Sequence, residues 1–221
     1  MSELILIAAS GLAREVMAMV RSSGQYDVVG ILDDDKELAG VTIDGAPVLG
    51  PIDDAPAYLH ALVLVCLSSG RSRENIVQRL AAMGLHEARY ATAIDPSVEC
   101  PEGCRIGRGS ILLRNVTLTA SVTLGSHVVA MPSVTFTHDD DVADFATFDA
   151  GVSLGGGVRV GRAAYLGMNS SVREGTSVGA YATVGMGAAV LSNVPDGETW
   201  VGVPAREIDH DGFHFRRGHG H

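Results

Sequence analysis

The chain has 221 residues and a net charge of −10, from 16 basic and 26 acidic side chains. That balance excludes a general affinity for nucleic acid or an anionic membrane surface, because both need a positive field. A phosphate-bearing ligand held by local backbone N–H groups and a few Arg stays open. Hydrophobic residues make up 46% and aromatics 5%, so the core is aliphatic. Three cysteines, Cys66, Cys100 and Cys104, are too few for a disulfide framework. The first residues enter a strand at once, and no apolar run approaches the ~20 residues that cross a bilayer. A reducing, cytoplasmic setting is the expectation.

Leu4–Ala8 is a continuous apolar run, as in a parallel strand buried on both faces. It ends in Ala9-Ser10-Gly11 and passes into a stretch where Leu12, Val16, Met19 and Val20 share one helical face. The order is strand, tight turn, helix, and the helix N-terminus offers free N–H groups to a phosphate or sugar oxygen. A second strand, Asp27–Leu32, closes on Asp33-Asp34-Asp35, where such folds hold a ribose hydroxyl or a base edge. A third, Ala61–Leu67, ends in Ser68-Ser69-Gly70, and a helix follows from Ser72 through Met83, its segment carrying Arg71, Arg73 and Arg79. Three strand ends rich in Ser, Gly and Asp meet at one edge of a parallel sheet. Residues 1–92 therefore read as a small α/β Rossmann-like binding domain.

From Ile94 an apolar residue returns every sixth position through Val190, seventeen times in succession. Four residues after each comes a second recurring position, small or β-branched almost throughout, as at Val116, Val122, Ala146 and Val152. Neither a helix nor a plain strand has this period, whereas a β-helix does. Three hexads make a triangular coil of 18 residues, so residues 18 apart stack about 4.8 Å above one another. Glycines at the second hexad position, such as Gly107, Gly161 and Gly167, are expected at corners that need positive φ. Cys100 and Cys104 fall on the two inward positions of one hexad and are expected in the core. Residues 93–208 form this second domain, and residues 209–221 are a flexible His-rich tail with no designed metal site.

Two histidines lie within the coils, His127 and His138. His138 is followed by Asp139-Asp140-Asp141, and Gly156 stands one coil above it. A base beside a carboxylate, with a backbone N–H stacked above, suits acyl transfer. The imidazole takes the proton of an attacking amine or hydroxyl, and the N–H holds the oxyanion. His127 reads as a surface residue. A zinc site would need three converging imidazoles, and the coils supply two, so no metal is expected.

The segments His138-Asp139, Leu154-Gly155-Gly156-Gly157-Val158, Tyr165–Ser170 and Val201-Gly202-Val203-Pro204-Ala205-Arg206 resemble the hexapeptide-repeat sugar O-/N-acetyltransferases of the sialic-acid and bacillosamine-pathway type. So do Gly11-Leu12-Ala13-Arg14-Glu15-Val16, Leu32-Asp33-Asp34 and Gly45–Gly50, and the match covers roughly residues 3–208. The resemblance implies a left-handed parallel β-helix, a homotrimer and acetyl-CoA in a groove between prisms. It also implies an N-terminal domain that holds the nucleotide of a nucleotide-linked amino sugar. By position, His138 is the general base, Asp139 its acid neighbour and Gly156 the oxyanion donor. Gly156, Gly167, Met168, Gly185 and Arg206 line the coenzyme site. Ser10, Gly11, Leu12, Asp33, Asp34, Ser68, Ser69, Arg73 and Thr147 contact the sugar nucleotide. The family usually has a second histidine where Thr147 stands and an asparagine at Met131. The expected reaction is direct N-acetylation of the amino sugar. The alternatives are O-acetylation of a sugar hydroxyl and a non-catalytic trimeric scaffold, the latter favoured by Thr147 and Met131.

Overall fold

A computed structural model of the protein describes residues 1–208; the His-rich tail lies outside the described residues. In the N-terminal half, β1 (Ser2–Ile7), α1 (Gly11–Ser23), β2 (Tyr26–Leu32), β3 (Thr42–Ile43), β4 (Ala46–Gly50), β5 (Leu62–Val65) and α2 (Gly70–Ala82) follow in order. The sheet runs β3-β4-β2-β1-β5, parallel except for β3. Leu4 to Ile7 are fully buried, which is why the central strand lacks polar alternation. Ser10 caps α1 through a 3.1 Å bond from the Ala13 N–H, and Gly24 ends that helix at φ +66°. The edge pair β3–β4 adds to the three strands read from the sequence. Asp44 and Gly45 both have positive φ, the two-residue turn that a tight hairpin requires.

From Ala93 the chain winds as a left-handed parallel β-helix. Face I stacks Arg105–Ile106, Thr123–Leu124, Asp141–Val142, Arg159–Val160 and Ser177–Val178. Face II runs from Ala93–Ile94 through Ile111–Leu112, Val129–Ala130, Thr147–Phe148, Tyr165–Leu166 and Thr183–Val184 to Thr199–Val201, with Arg206–Glu207 as its antiparallel edge. Face III stacks Thr117–Leu118, Thr135–Phe136, Ser153–Leu154, Ser171–Val172 and Ala189–Val190. The recurring apolar and small positions fill the interior. Phe136 and Phe148 also fit there, edge to face at 4.9 Å.

The corner glycines differ from expectation. Positive φ falls three residues after each apolar position, at Asn115, His127, Asp139, Phe145 and their successors, not at the glycine two residues earlier. Gly107 and Gly161 are needed for closeness instead: a Cβ there would lie 2.4 Å from the backbone of the coil above. One cysteine differs too. Cys100 is exposed, because the hexad that starts there turns through Pro101 and Gly103 and forms no strand under the prism. Cys104 is half-buried and packs against the prism core.

The N-terminal domain sits against the early coils of face II. Leu12, Val16 and Met19 of α1 pack in one cluster with Ile111, Leu113 and Val129. At the vertex between faces I and II the contact becomes polar. His127, expected at the surface, is 3% exposed there. It stacks on Phe145 at 5.1 Å and meets the edge of Tyr90 at 4.6 Å. The α/β domain covers that corner, and a single-domain reading of the hexads could not anticipate the cover.

Candidate active site

The vertex between faces III and I carries His138 and Asp139. Asp139 occupies the left-handed corner at φ +63°, and this turn brings its carboxylate back to the preceding ring. His138 Nδ1 and Asp139 Oδ2 are 2.9 Å apart, and both side chains are 68% exposed. One coil higher, the imidazole lies against Gly156. A Cβ on Gly156 would stand 2.4 Å from His138 Cε1 and Nε2, so any side chain would displace the ring. The neighbours of Gly156 are engaged, Gly155 N–H to Val172 O and Gly157 N–H to His138 O. The Gly156 N–H has no such bond among the described residues. A base with its Nδ1 held by a carboxylate, its Nε2 without a bonded partner among the described residues and an unclaimed N–H adjacent can accept a proton and stabilise an oxyanion.

The vertex between faces I and II holds other expected site residues, and uses them differently. Arg73 is fully buried. Its guanidinium donates to Leu67 O and Ser68 O at 2.6 and 2.9 Å, to His127 O at 3.0 Å, and to Phe145 O and Ala146 O at 2.7 and 3.0 Å. It also donates to Thr147 Oγ1 at 2.9 Å, and the Thr147 hydroxyl donates to Ser68 O at 2.8 Å. Both side chains bond across the seam between the two domains. Burial pulls the Arg73 guanidinium down to about 9, still protonated at neutral pH. Beside it Glu74 accepts from Arg162 at 2.8 Å and from the Tyr181 hydroxyl at 2.9 Å. Met131 packs against the same apolar cluster as α1. His127 is driven down to about 4, first by burial and then by the Arg73 charge. Its Nδ1 has no hydrogen-bond partner among the described residues, and it is a neutral packing group.

The other residues expected to contact a nucleotide gather at the C-terminal edge of the N-terminal sheet. The Ser10 hydroxyl caps α1 and donates to Cys66 O. Gly11 opens that helix in an exposed position, and Leu12 is buried beneath it. Asp33 accepts from the Ala9 and Asp35 N–H groups at 2.6 and 2.8 Å. Asp34 bonds the Ile52 N–H and pairs with Arg79, and the Arg79 hydrogen bond keeps its carboxyl below the usual range. Ser69 caps α2 at 3.3 Å. Gly70 begins α2 where a Cβ would be 2.2 Å from Phe145 O, so only glycine permits this approach of the helix to the vertex. Between Ser68–Arg71 and the outer surface of face II opens a cleft of ≈ 560 Å³ lined also by Tyr165, Tyr181, Thr183 and Thr199. Arg71 stacks over the Tyr181 ring at 4.9 Å. Burial, with the Asp149 carboxylate at its hydroxyl, pushes Tyr165 up to about 12. Arg71, Tyr165 and Tyr181 were not among the sequence candidates, because nothing in the hexads marks which outward residues the other domain will face.

Gly167, Met168 and Gly185 share the third vertex, between faces II and III. Gly167 lies under the coil of Gly185, where a Cβ would be 2.7 Å from Met186 N. Met168 and Met186 are 49% and 80% exposed, an apolar edge that no described residue covers. Arg206 is exposed at the end of face II. Among the described residues no group of three His, Cys, Asp or Glu side chains could hold a metal ion. No helix is long and apolar enough to cross a membrane.

Residues 3–80 match the PglD N-terminal domain family. The whole fold is similar to the acetyltransferase domain of PglB from Neisseria gonorrhoeae in complex with acetyl coenzyme A. Identity is 26%, over 93% of this chain and 98% of that one, with a TM-score of 0.85. It is equally similar to PerB from Caulobacter crescentus in complex with CoA and GDP-perosamine, at 25% identity over 95% and 98% of the chains and a TM-score of 0.85. By sequence, 119 residues are 34% identical to an acyl-[acyl-carrier-protein]–UDP-N-acetylglucosamine O-acyltransferase of Pseudomonas entomophila, covering 53% of this chain and 44% of that protein. The chain spans less than two thirds of the curated relatives it matches, 64% in the case of a Schizosaccharomyces pombe relative.

Proposed function

We propose that this chain, similar over nearly its whole length to sugar acetyltransferases of the hexapeptide-repeat type, transfers the acetyl group of acetyl-CoA to the amino group of a nucleotide-linked amino deoxy sugar. The observation that carries the reading is the His138–Asp139 pair at 2.9 Å with its ring seated against Gly156. Asp139 holds the Nδ1 proton and leaves Nε2 as the base. As the sugar nitrogen attacks the thioester carbonyl, Nε2 takes its proton and the carbonyl oxygen becomes an oxyanion at the Gly156 N–H. Collapse breaks the C–S bond, forms the amide and returns the proton to the CoA thiolate. The transfer is direct, with no acyl-enzyme.

Acetyl-CoA lies along the edge of Met168, Gly167 and Gly185, with Arg206 beyond it. The strand-end cleft at Ser68–Arg71, with Asp33 and Asp34, takes the nucleotide. These features lie on different edges of one prism, which supports a homotrimer in which neighbouring chains complete each site. PerB, similar over nearly its full length, was crystallised with CoA and GDP-perosamine, which supports an amino-sugar acceptor. The similarity to O-acyltransferases favours a second reading, transfer to a sugar hydroxyl. The similarity to acetyltransferases solved with acetyl-CoA or CoA disfavours the scaffold reading.

The test is release of CoA thiol from acetyl-CoA with UDP-, GDP- and dTDP-linked amino sugars and their hydroxy counterparts. Release with an amino sugar alone is the expected result, and it should fall by about 10²–10⁴-fold in His138→Ala. Release only with hydroxy sugars would replace the reading by O-acetylation. Binding of acetyl-CoA without release on any acceptor would replace it by the scaffold.

A further inference from the structure

Asp140 occupies a position that is otherwise reserved for small or apolar residues. At the inward site four residues after each recurring apolar position, from Val98 to Val194, it is the only carboxylate. It is 1% exposed. A charge at such a place costs several kcal/mol unless its oxygens are well bonded, and a local rule broken beside a reacting group is where function is expected.

Its two oxygens each take a backbone N–H away from that group's ordinary partner. At several other corners the N–H of the small inward residue closes its own turn, as Ala164 does to Gly161 O and Ser170 to Gly167 O, at 3.2 and 3.1 Å. At the covered corner, by contrast, the Val128 N–H goes to the Ser110 hydroxyl one coil down. The matching donor above His138 is Val158, in the turn that contains Gly156. It bonds Asp140 Oδ1 instead, at 2.8 Å, one coil down. The second diverted group is Thr137, the residue before His138. At equivalent places the N–H joins the ladder to the next coil, as Gly155 does to Val172 O and Asp149 to Leu166 O. The Thr137 N–H turns to Asp140 Oδ2 at 2.8 Å, and its hydroxyl bonds Leu154 O at 3.1 Å in its place. The rung is accordingly missing. Thr135 pairs with Ser153, while Phe136 and Leu154 do not pair, although the other steps on face III pair both residues.

We propose that Asp140, with the Thr137 hydroxyl, is a positioning device that opens one rung of the ladder and fixes the His138 corner and the Gly156 corner in reacting register. Asp140 touches neither substrate; it acts through the two peptide segments that carry the base and the oxyanion donor. The proposal rests on the acyl-transfer reading of His138 and Gly156. A displacement of about 1 Å between such groups costs about 10²-fold in rate.

The experiment is steady-state kinetics of Asp140→Val, Asp140→Asn and Thr137→Val on the intact protein, with acetyl-CoA and the sugar nucleotide found by the thiol screen. Asp140→Val restores the inward pattern and returns Val158 and Thr137 to their ordinary partners. The expected result is a fall in kcat of about 10²-fold, KM for both substrates within twofold and an unchanged or raised melting temperature. Asp140→Asn keeps one carbonyl acceptor for Val158 and should recover part of the rate. If Asp140→Val does not fold, Thr137→Val carries the test, with a smaller loss in kcat at unchanged KM. A kcat within twofold of the parent in every folded variant overturns the proposal, as does a loss expressed in KM alone. Failure of the underlying reading is separately visible, since His138→Ala would then keep its activity while these variants were still measurable.

Discussion

His127 and His138 stand eleven residues apart on one prism, and their surroundings are opposite in almost every physical respect. His127 lies at the vertex that the N-terminal domain covers, 3% exposed, sandwiched by Phe145 and Tyr90 and held near two guanidinium groups. His138 lies at the bare vertex, 68% exposed and bonded to a carboxylate. The same side chain is thus a neutral plug in one corner and a candidate base in the other. Cover decides which, and cover comes from a different domain. The closed vertex consumes hydrogen-bonding capacity, as Arg73 does with six partners. The bare vertex leaves an N–H and a ring nitrogen unclaimed.

The largest expected effect comes from breaking the closed vertex. Arg73→Met leaves the carbonyls of Leu67, Ser68, Phe145 and Ala146 without their charged donor, and should cost about 4–5 kcal/mol of stability. A thermal melt would read this as a loss of cooperativity between the domains. A shift of a degree or two would mean that water replaces the guanidinium, and the seam would then be far looser than it looks. Next in size is the paired exchange of the histidines. His138→Ala should lower kcat about 10²–10⁴-fold with little change in melting temperature. His127→Phe, an apolar ring in an apolar sandwich, should hold kcat within a few-fold. If both variants lose activity equally, the contrast between the two corners fails.

Acid pH separates the two regions more finely. His127 is held at about 4 against an unfolded value near 6.5. The unfolded chain therefore binds the extra proton between those limits, and this contribution to stability is lost as pH falls from about 6.5 to 4. Asp140 runs the other way. Burial raises it to about 6 from an unfolded value near 3.9, so its contribution is lost as pH rises through about 6. Each is worth about 3 kcal/mol at most, and the two nearly cancel between pH 4 and 6. The parent should show a shallow stability profile there. Asp140→Val should expose a slope that rises with pH, and His127→Phe one that falls. Parallel profiles in all three proteins would show that neither group is as dry as its burial indicates.

The prism was legible in the sequence because its cause is local and periodic: one apolar and one small residue per hexad suffice to fill a coil. The stacking of His138 under Gly156 followed from the same period. The Rossmann-like half was legible from the buried run Leu4–Ala8 and its helix. What could not be read was where one domain would cover the other. Thr147, Met131 and Arg73 sit on outward positions that look alike in sequence whether they meet solvent, ligand or protein. Their roles depend on contacts 70 or more residues away, such as Arg73 to Phe145. The hairpin turn Asp44-Gly45 and the lone inward Asp140 were visible signals of a different kind, single residues that break or punctuate a pattern.

Two serines at the same inward register test how far the covered vertex differs from the others. Ser110, at the covered vertex, donates to Gly125 O at 3.1 Å and accepts from the Val128 N–H at 3.0 Å. Ser170, at the vertex between faces II and III, is 1% exposed and its hydroxyl has no partner among the described residues. A buried hydroxyl without a bond costs about 1 kcal/mol or more relative to a methyl group, and a satisfied one repays that cost. Ser170→Ala should therefore raise stability by about 1 kcal/mol, and Ser110→Ala should lower it by about as much. Chemical denaturation of the two variants reads the signs directly. Equal signs would mean that an inward hydroxyl is tolerated alike at every corner, and that the covered vertex owes its order to the guanidinium of Arg73 rather than to the coil beneath it.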